Sequence, residues 1–143
     1  TNPYLPQWLA TGLVRQMPGA IGYVELIYAL QNKMTFGAVK NAAGNWITAS
    51  IQGVTEAAAS VKQMPADYRV SITNPPGKDA YPISSFTYLL IPKSGTKAEN
   101  RKVIKDLLSW VLKSGQGEAS NLSYAPLPQE LVEKELKTVY ALQ

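Results

Sequence analysis

Ten carboxylates and 14 lysine and arginine residues, with no histidine and no cysteine, are what this chain offers for chemistry. Histidine is the side chain most often used to move protons near neutral pH and the commonest metal ligand. Its absence, with that of cysteine, excludes serine and cysteine triads, the usual zinc sites and disulfides. The acid and base candidates are Glu25, Glu56, Asp67, Asp79, Glu99 and Asp106. No two of them share a recognisable motif, and most fall in helical stretches where a solvated face accounts for them. No GxGxxG, P-loop or GxSxG run occurs, so nucleotide binding and hydrolase chemistry lack their usual geometry.

Glu25 differs, because it ends a predicted strand that begins in a Gly-rich turn, at the strand edge where α/β proteins place ligands. It is a ligand contact, a hinge group, or a carboxylate capping the next helix, and the capping role is the simpler one. Gly19 and Gly22 suit tight turning and close packing rather than binding. Tyr23, Tyr28, Trp46, Tyr81, Tyr88, Trp110 and Tyr124 are too dispersed for a stacking platform and suit core or crevice lining.

The elements that must position these residues follow from spacing. Trp8 to Gln16 is predicted helical, with Pro18 and Gly19 turning the chain into a strand over Ile21 to Leu26. A short helix is expected over Ile27 to Asn32 and a strand over Thr35 to Lys40. Residues 41–45 then read as a hairpin loop into Trp46 and Ile47. Ile51 to Val61 is alanine-rich and helical, with Ser50 or Thr48 as N-cap. Strands are predicted over Tyr68 to Ile72 and Phe86 to Ile91, on either side of the loop from Asn74 to Asp79. The second strand is continuously apolar, as if buried on both faces of a covered sheet. Thr96 and Glu99 have capping-box spacing ahead of a helix whose apolar face is Val103, Ile104, Leu107, Leu108, Val111 and Leu112, closed by Lys113 and Gly115. A last helix runs from Pro128 to Tyr140, with Pro128 at its first position and Glu133 and Lys137 one turn apart.

At 143 residues with 45% hydrophobic and 17% charged residues, the chain has the composition of one folded domain or two incomplete lobes. No apolar run reaches the length of a membrane helix. A net charge of +4 is spread without a basic stripe, which argues against a nucleic-acid partner.

Taken in order, several runs resemble one family. Thr11 to Gln16 followed by Pro18-Gly19-Ala20-Ile21-Gly22-Tyr23-Val24-Glu25 and on to Asn32 is similar to a region of the phosphate-binding proteins of ABC importers. Lys40 to Trp46, Asp79 to Ile91 and Ser120 to Pro128 resemble that family's hairpin, return strand and C-terminal signature. The resemblance spans about Thr11 to Tyr140. It implies an α/β chain that is part of a two-lobed type II periplasmic binding-protein fold, with a mixed sheet flanked by helices. Residues 1–80 would be a portion of the second, central lobe, and residues 81–143 the return crossover and C-terminal helices of the first. It also implies a binding protein rather than an enzyme, no cofactor and no metal, and a periplasmic or exported location, lipid-anchored where there is no periplasm. Its partners would be inorganic phosphate and the membrane subunits of the transporter.

The phosphate grip implied by the family consists of an N-terminal Thr-Phe pair, a following Ser and Asp, and a central Arg with a Ser-Gly-Thr run at a helix N-terminus. None is present intact. Ser94-Gly95-Thr96 comes after the return strand, where a plain N-cap explains it. Thr1 to Leu5, with Trp8, resembles either the helix after the central phosphate loop or the family's first Thr-Phe-Pro segment, and Thr1 is the one candidate phosphate contact. The expectation is therefore a fragment, a deletion variant or an incompletely traced protein that binds phosphate weakly or not at all. Such a chain would expose a face for its missing N-terminal segment or another copy of itself. The alternative is a structural or interaction protein that reuses the scaffold without solute binding.

Overall fold

In the computed structural model, which describes residues 7–92 and 97–142 (main chain only for 7–9), helices dominate. Helix α1 (Gln7–Gln16) packs on the short helix α2 (Leu26–Gln31). Thr11 of α1 and Ala29 of α2 are buried, so the predicted helices at this end both form, with α2 starting one residue early.

The hairpin also forms. Strands β1 (Ala38–Lys40) and β2 (Trp46–Thr48) pair antiparallel with Val39 opposite Ile47 and Lys40 opposite Trp46. Its turn closes through bonds from the Asn41 N–H to the Asn45 carbonyl and from the Gly44 N–H to the Asn41 carbonyl, each 2.9 Å. Gly44 has φ +86°, a left-handed value that glycine adopts without strain.

Helix α3 (Ile51–Ala59) starts at Ser50, whose hydroxyl accepts from the Gly53 N–H at 3.0 Å. It ends two residues before Val61, where the Ser60 hydroxyl turns back to donate to the Ala57 carbonyl at 2.6 Å. Ala57 and Ala58 form a core with Ile72 and Ala80, and Val61 and Phe86 pack against it. The small side chains explain how α3 lies close to the 72–80 segment: two alanines keep the backbone near, and Ile72 fills the remaining space.

If that core with α3 is taken as one body, helix α4 (Ala98–Leu112), the short turns α5 (Gln116–Ala119) and Ser120–Leu122, and helix α6 (Gln129–Tyr140) make the second, around its own apolar cluster. Leu108, Leu112 and Val139 are its centre, with Ile91, Ile104, Leu127, Val132 and Leu136 around them. The apolar face of α4 is narrower than its spacing implies, since Val103 and Leu107 are 65% and 57% exposed. Pro128 stands one place earlier than expected. It is the N-cap of α6, and its carbonyl accepts from Leu131 and Val132. Glu133 accepts from Gln129 at 3.2 Å; the ion pairs among the described residues are Arg69 with Asp67 and Lys102 with Asp106.

Three predicted strands are absent. Residues 21–25, 68–72 and 86–91 join no ladder, and the sheet among the described residues is the two-stranded antiparallel hairpin, not a mixed sheet. Phe86 to Ile91 is not buried on both faces either: Leu89 and Leu90 are 66% and 92% exposed. The reason is physical. Apolar composition creates a demand for burial, but a strand exists only when a second strand satisfies its N–H and C=O groups. The 68–72 and 86–91 segments do meet, where the Tyr88 hydroxyl donates to the Val70 carbonyl at 3.0 Å, but no ladder of backbone bonds forms between them. Tyr68 further breaks its run by adopting φ +59°.

Candidate functional site

The Pro18 to Glu25 run is organised by its glycines. Gly19 has φ +78° and lets the Ala20 N–H reach the Met17 carbonyl at 3.1 Å, so the turn out of α1 closes tightly. A Cβ on Gly22 would lie 2.8 Å from the Val14 Cγ2, so Gly22 lets the chain fold back against α1. Both glycines do what their positions imply, turning and close approach. Glu25 stands at the N-cap of α2 with extended backbone, and its carbonyl accepts from the Tyr28 N–H at 3.0 Å. It holds the cap position without a side-chain cap bond.

Asn41, which sequence spacing marks only as a hairpin residue, is the best-connected polar side chain described. It is 5% exposed, and its amide donates to the carbonyls of Gly77, Lys78 and Ala80 at 3.3, 2.9 and 3.1 Å. Its Oδ1 accepts from the Asn45 N–H at 3.0 Å, and Asn45 Nδ2 donates in turn to Lys78 at 3.0 Å. The hairpin tip thus grips the chain just before Tyr81 to Phe86, the segment expected to cross between lobes. Gly77 fits under this grip because it has no side chain: a Cβ there would lie 2.9 Å from that of Ala80.

The Tyr81 to Phe86 segment is fixed from its other side as well. The Tyr81 N–H donates to the Gly53 carbonyl at 2.9 Å, and the Asn74 N–H donates to Pro82 at 2.7 Å. Buried Ser84 donates to the Tyr81 carbonyl at 2.8 Å. Burial pushes the Tyr81 phenol up from its ordinary pKa, so it stays neutral and works as packing.

Thr1, and Ser94-Gly95-Thr96 with the capping box that Thr96 begins, lie outside the described residues. Asp67 and Asp106 are each paired with a neighbouring cation, Arg69 at 2.9 Å and Lys102 at 2.6 Å. Among the described residues no three carboxylates converge into a metal cluster. Tyr23, Trp46, Trp110 and Tyr124 are exposed without forming a platform. An open depression is lined by Val14, Arg15 and residues 31–35, with Lys33 beside Asn32. It lies at the C-terminal ends of α1 and α2, where the helix dipole favours cations, so Arg15 and Lys33 complement the helices there. What the described residues arrange is a hairpin tip that grips residues 77–80, followed by a segment whose Ile83, Leu89 and Leu90 are exposed.

No family model matches the chain. Among curated proteins, the phosphate-binding protein PstS of Xylella fastidiosa strain Temecula1 is 42% identical over 129 residues, covering 90% of this chain and 35% of that protein. PstS of Pasteurella multocida is 32% identical over 85% of the chain and 36% of its own length. PstS of the archaeon Methanocaldococcus jannaschii is also 32% identical, over 89% of the chain and 36% of its length. The chain spans about a third of each of these relatives. All three carry the name of a binding protein, and no described helix is long and apolar enough to cross a membrane. By sequence, then, this chain is a homologue of the phosphate-binding proteins PstS, corresponding to about 35% of their length.

Proposed function

We propose that this chain is the C-terminal part of an exported or periplasmic phosphate-binding protein that delivers inorganic phosphate to the membrane subunits of an ABC transporter. The observation that carries this reading is the 42% identity over 90% of the chain to a named phosphate-binding protein. In this reading residues 1–80 belong to the second lobe and residues 81–143 return to the first. The grip of Asn41 and Gly53 on residues 77–81 supports a fixed crossover near that boundary. Phosphate is bound by the complete protein, with Thr1 contributing from this piece and the other donors coming from the rest of the longer chain. The longer chain also covers the apolar segment from Ile83 to Leu90, which would satisfy both its side chains and its backbone groups.

Calorimetric titration with inorganic phosphate tests this. The isolated 143-residue chain is expected to show no binding in the micromolar range, and a version extended at its N-terminus to the length of the relatives to show it. Micromolar binding by the isolated chain overturns the division of ligands. Failure of the extended protein to bind overturns the phosphate reading itself.

A further inference from the structure

The two apolar clusters, one around Ala57, Ile72 and Ala80 and the other around Leu108, Leu112 and Val139, are joined through the chain by the run that includes exposed Leu89 and Leu90. They are also joined through space at one crowded point. The Tyr68 hydroxyl donates to the Lys134 carbonyl of α6 at 3.3 Å and lies 2.6 Å from the Thr138 hydroxyl. The Lys134 ammonium sits 5.4 Å from the centre of the Tyr68 ring and donates to the carbonyls of Met64 and Pro65, the latter at 3.3 Å. No carboxylate takes part in this set of contacts; the cation is held by a ring face and two peptide oxygens.

Tyr68 makes these contacts from a left-handed backbone conformation, φ +59°, that costs a bulky residue energy and would cost glycine almost none. Strain of this kind persists only where surrounding contacts over-determine it. Here those contacts come from an element 66 to 70 residues away in sequence. We propose that residues 64–68 form a strap that fastens α6 to the first cluster and sets the relative placement of the two bodies. The strap stands on these contacts and is independent of what the protein binds.

The chain has no cysteine, so spin labels can be placed at will on the full 143 residues. Labels at Gln52→Cys on α3 and Glu130→Cys on α6, both exposed, report the distance between the bodies. The parent is expected to give one narrow distance distribution. Tyr68→Gly removes the ring and the strain together, and the distribution is expected to broaden. Amide exchange of residues 61–72 and of α6 should rise together, by about tenfold. Tyr68→Phe, which keeps the ring and loses the hydroxyl bonds, should show the same change in smaller measure, and decides the question if Tyr68→Gly fails to fold. Lys105→Met removes a bond to the Tyr140 carbonyl within the second body and should leave the distance unchanged. A broad distribution in the parent overturns the strap. So does a Tyr68→Gly or Tyr68→Phe protein whose distance and exchange match the parent's.

Discussion

Asn41 shows how much one side chain can decide. The two N–H groups of a single buried amide are shared among three carbonyls of the 77–80 segment, while its oxygen accepts from one N–H of its own turn. Asn41→Ala would take the amide's bond from the buried Ala80 carbonyl, while Lys78 keeps Asn45 and Gly77 keeps the Ala80 N–H, and the expected loss is about 1–3 kcal/mol in chemical denaturation. Asn41→Asp is the sharper probe. At pH 7 it aims a carboxylate at three carbonyl oxygens, so it should be less stable than Asn41→Ala. It should recover towards pH 4, where the added carboxyl takes up a proton and one of its oxygens becomes a donor. Equal stability of the two variants at pH 7 would show that the amide donors are not what matters.

At the scale of elements, α6 carries an acid in an unfavourable place. Burial pushes the Glu135 carboxyl above its ordinary value of 4.5, so the folded chain holds that proton more tightly than the unfolded chain does. Below pH 4.5 both states are protonated and the residue is neutral in the balance. As pH rises through the raised value, the folded state must ionise a half-buried group, and stability falls. Glu135→Gln is therefore expected to melt higher than the parent at pH 7 and at the same temperature near pH 3. A variant that melts lower at pH 7 would mean that the carboxylate has a favourable partner. The neighbouring cations behave in the ordinary surface way. Lys102 is raised by its bond to Asp106, and Lys113 lowers the Tyr140 phenol, but each of these groups is open to solvent, where such pairs add little to stability.

For the whole molecule the decisive feature is the apolar surface that the described residues leave exposed. Ile21, Tyr23, Ile83, Leu89 and Leu90 are between 66% and 98% exposed, and all but Ile83 sit in runs whose sequence suits paired strands. Such surface drives association. Light scattering on the isolated chain at high concentration is expected to report self-association. Leu89→Lys with Leu90→Lys should reduce it while changing stability by no more than about 0.5 kcal/mol, because both side chains are already in solvent. A monodisperse parent would count against the exposed surface as a contact face.

The sequence by itself determined the helices and the hairpin. Ser50 and the alanines fix α3, the three-and-four spacing fixes α4, Pro128 starts α6, and Gly44 closes the turn, all through interactions within a few residues. The same locality made the roles of Gly19 and Gly22 legible, and ordered runs of residues made the family legible. Only the tertiary structure decided which apolar stretches become strands, because pairing depends on a partner that periodicity does not encode. Phe86 to Ile91 has the right composition and joins no ladder among the described residues. Only the tertiary structure, likewise, brought Asn41 to residues 77–80 and Tyr68 to Lys134 and Thr138, across separations of 36 to 39 and 66 to 70 residues. A polar residue's own neighbours in sequence say nothing of the carbonyl it will meet that far away.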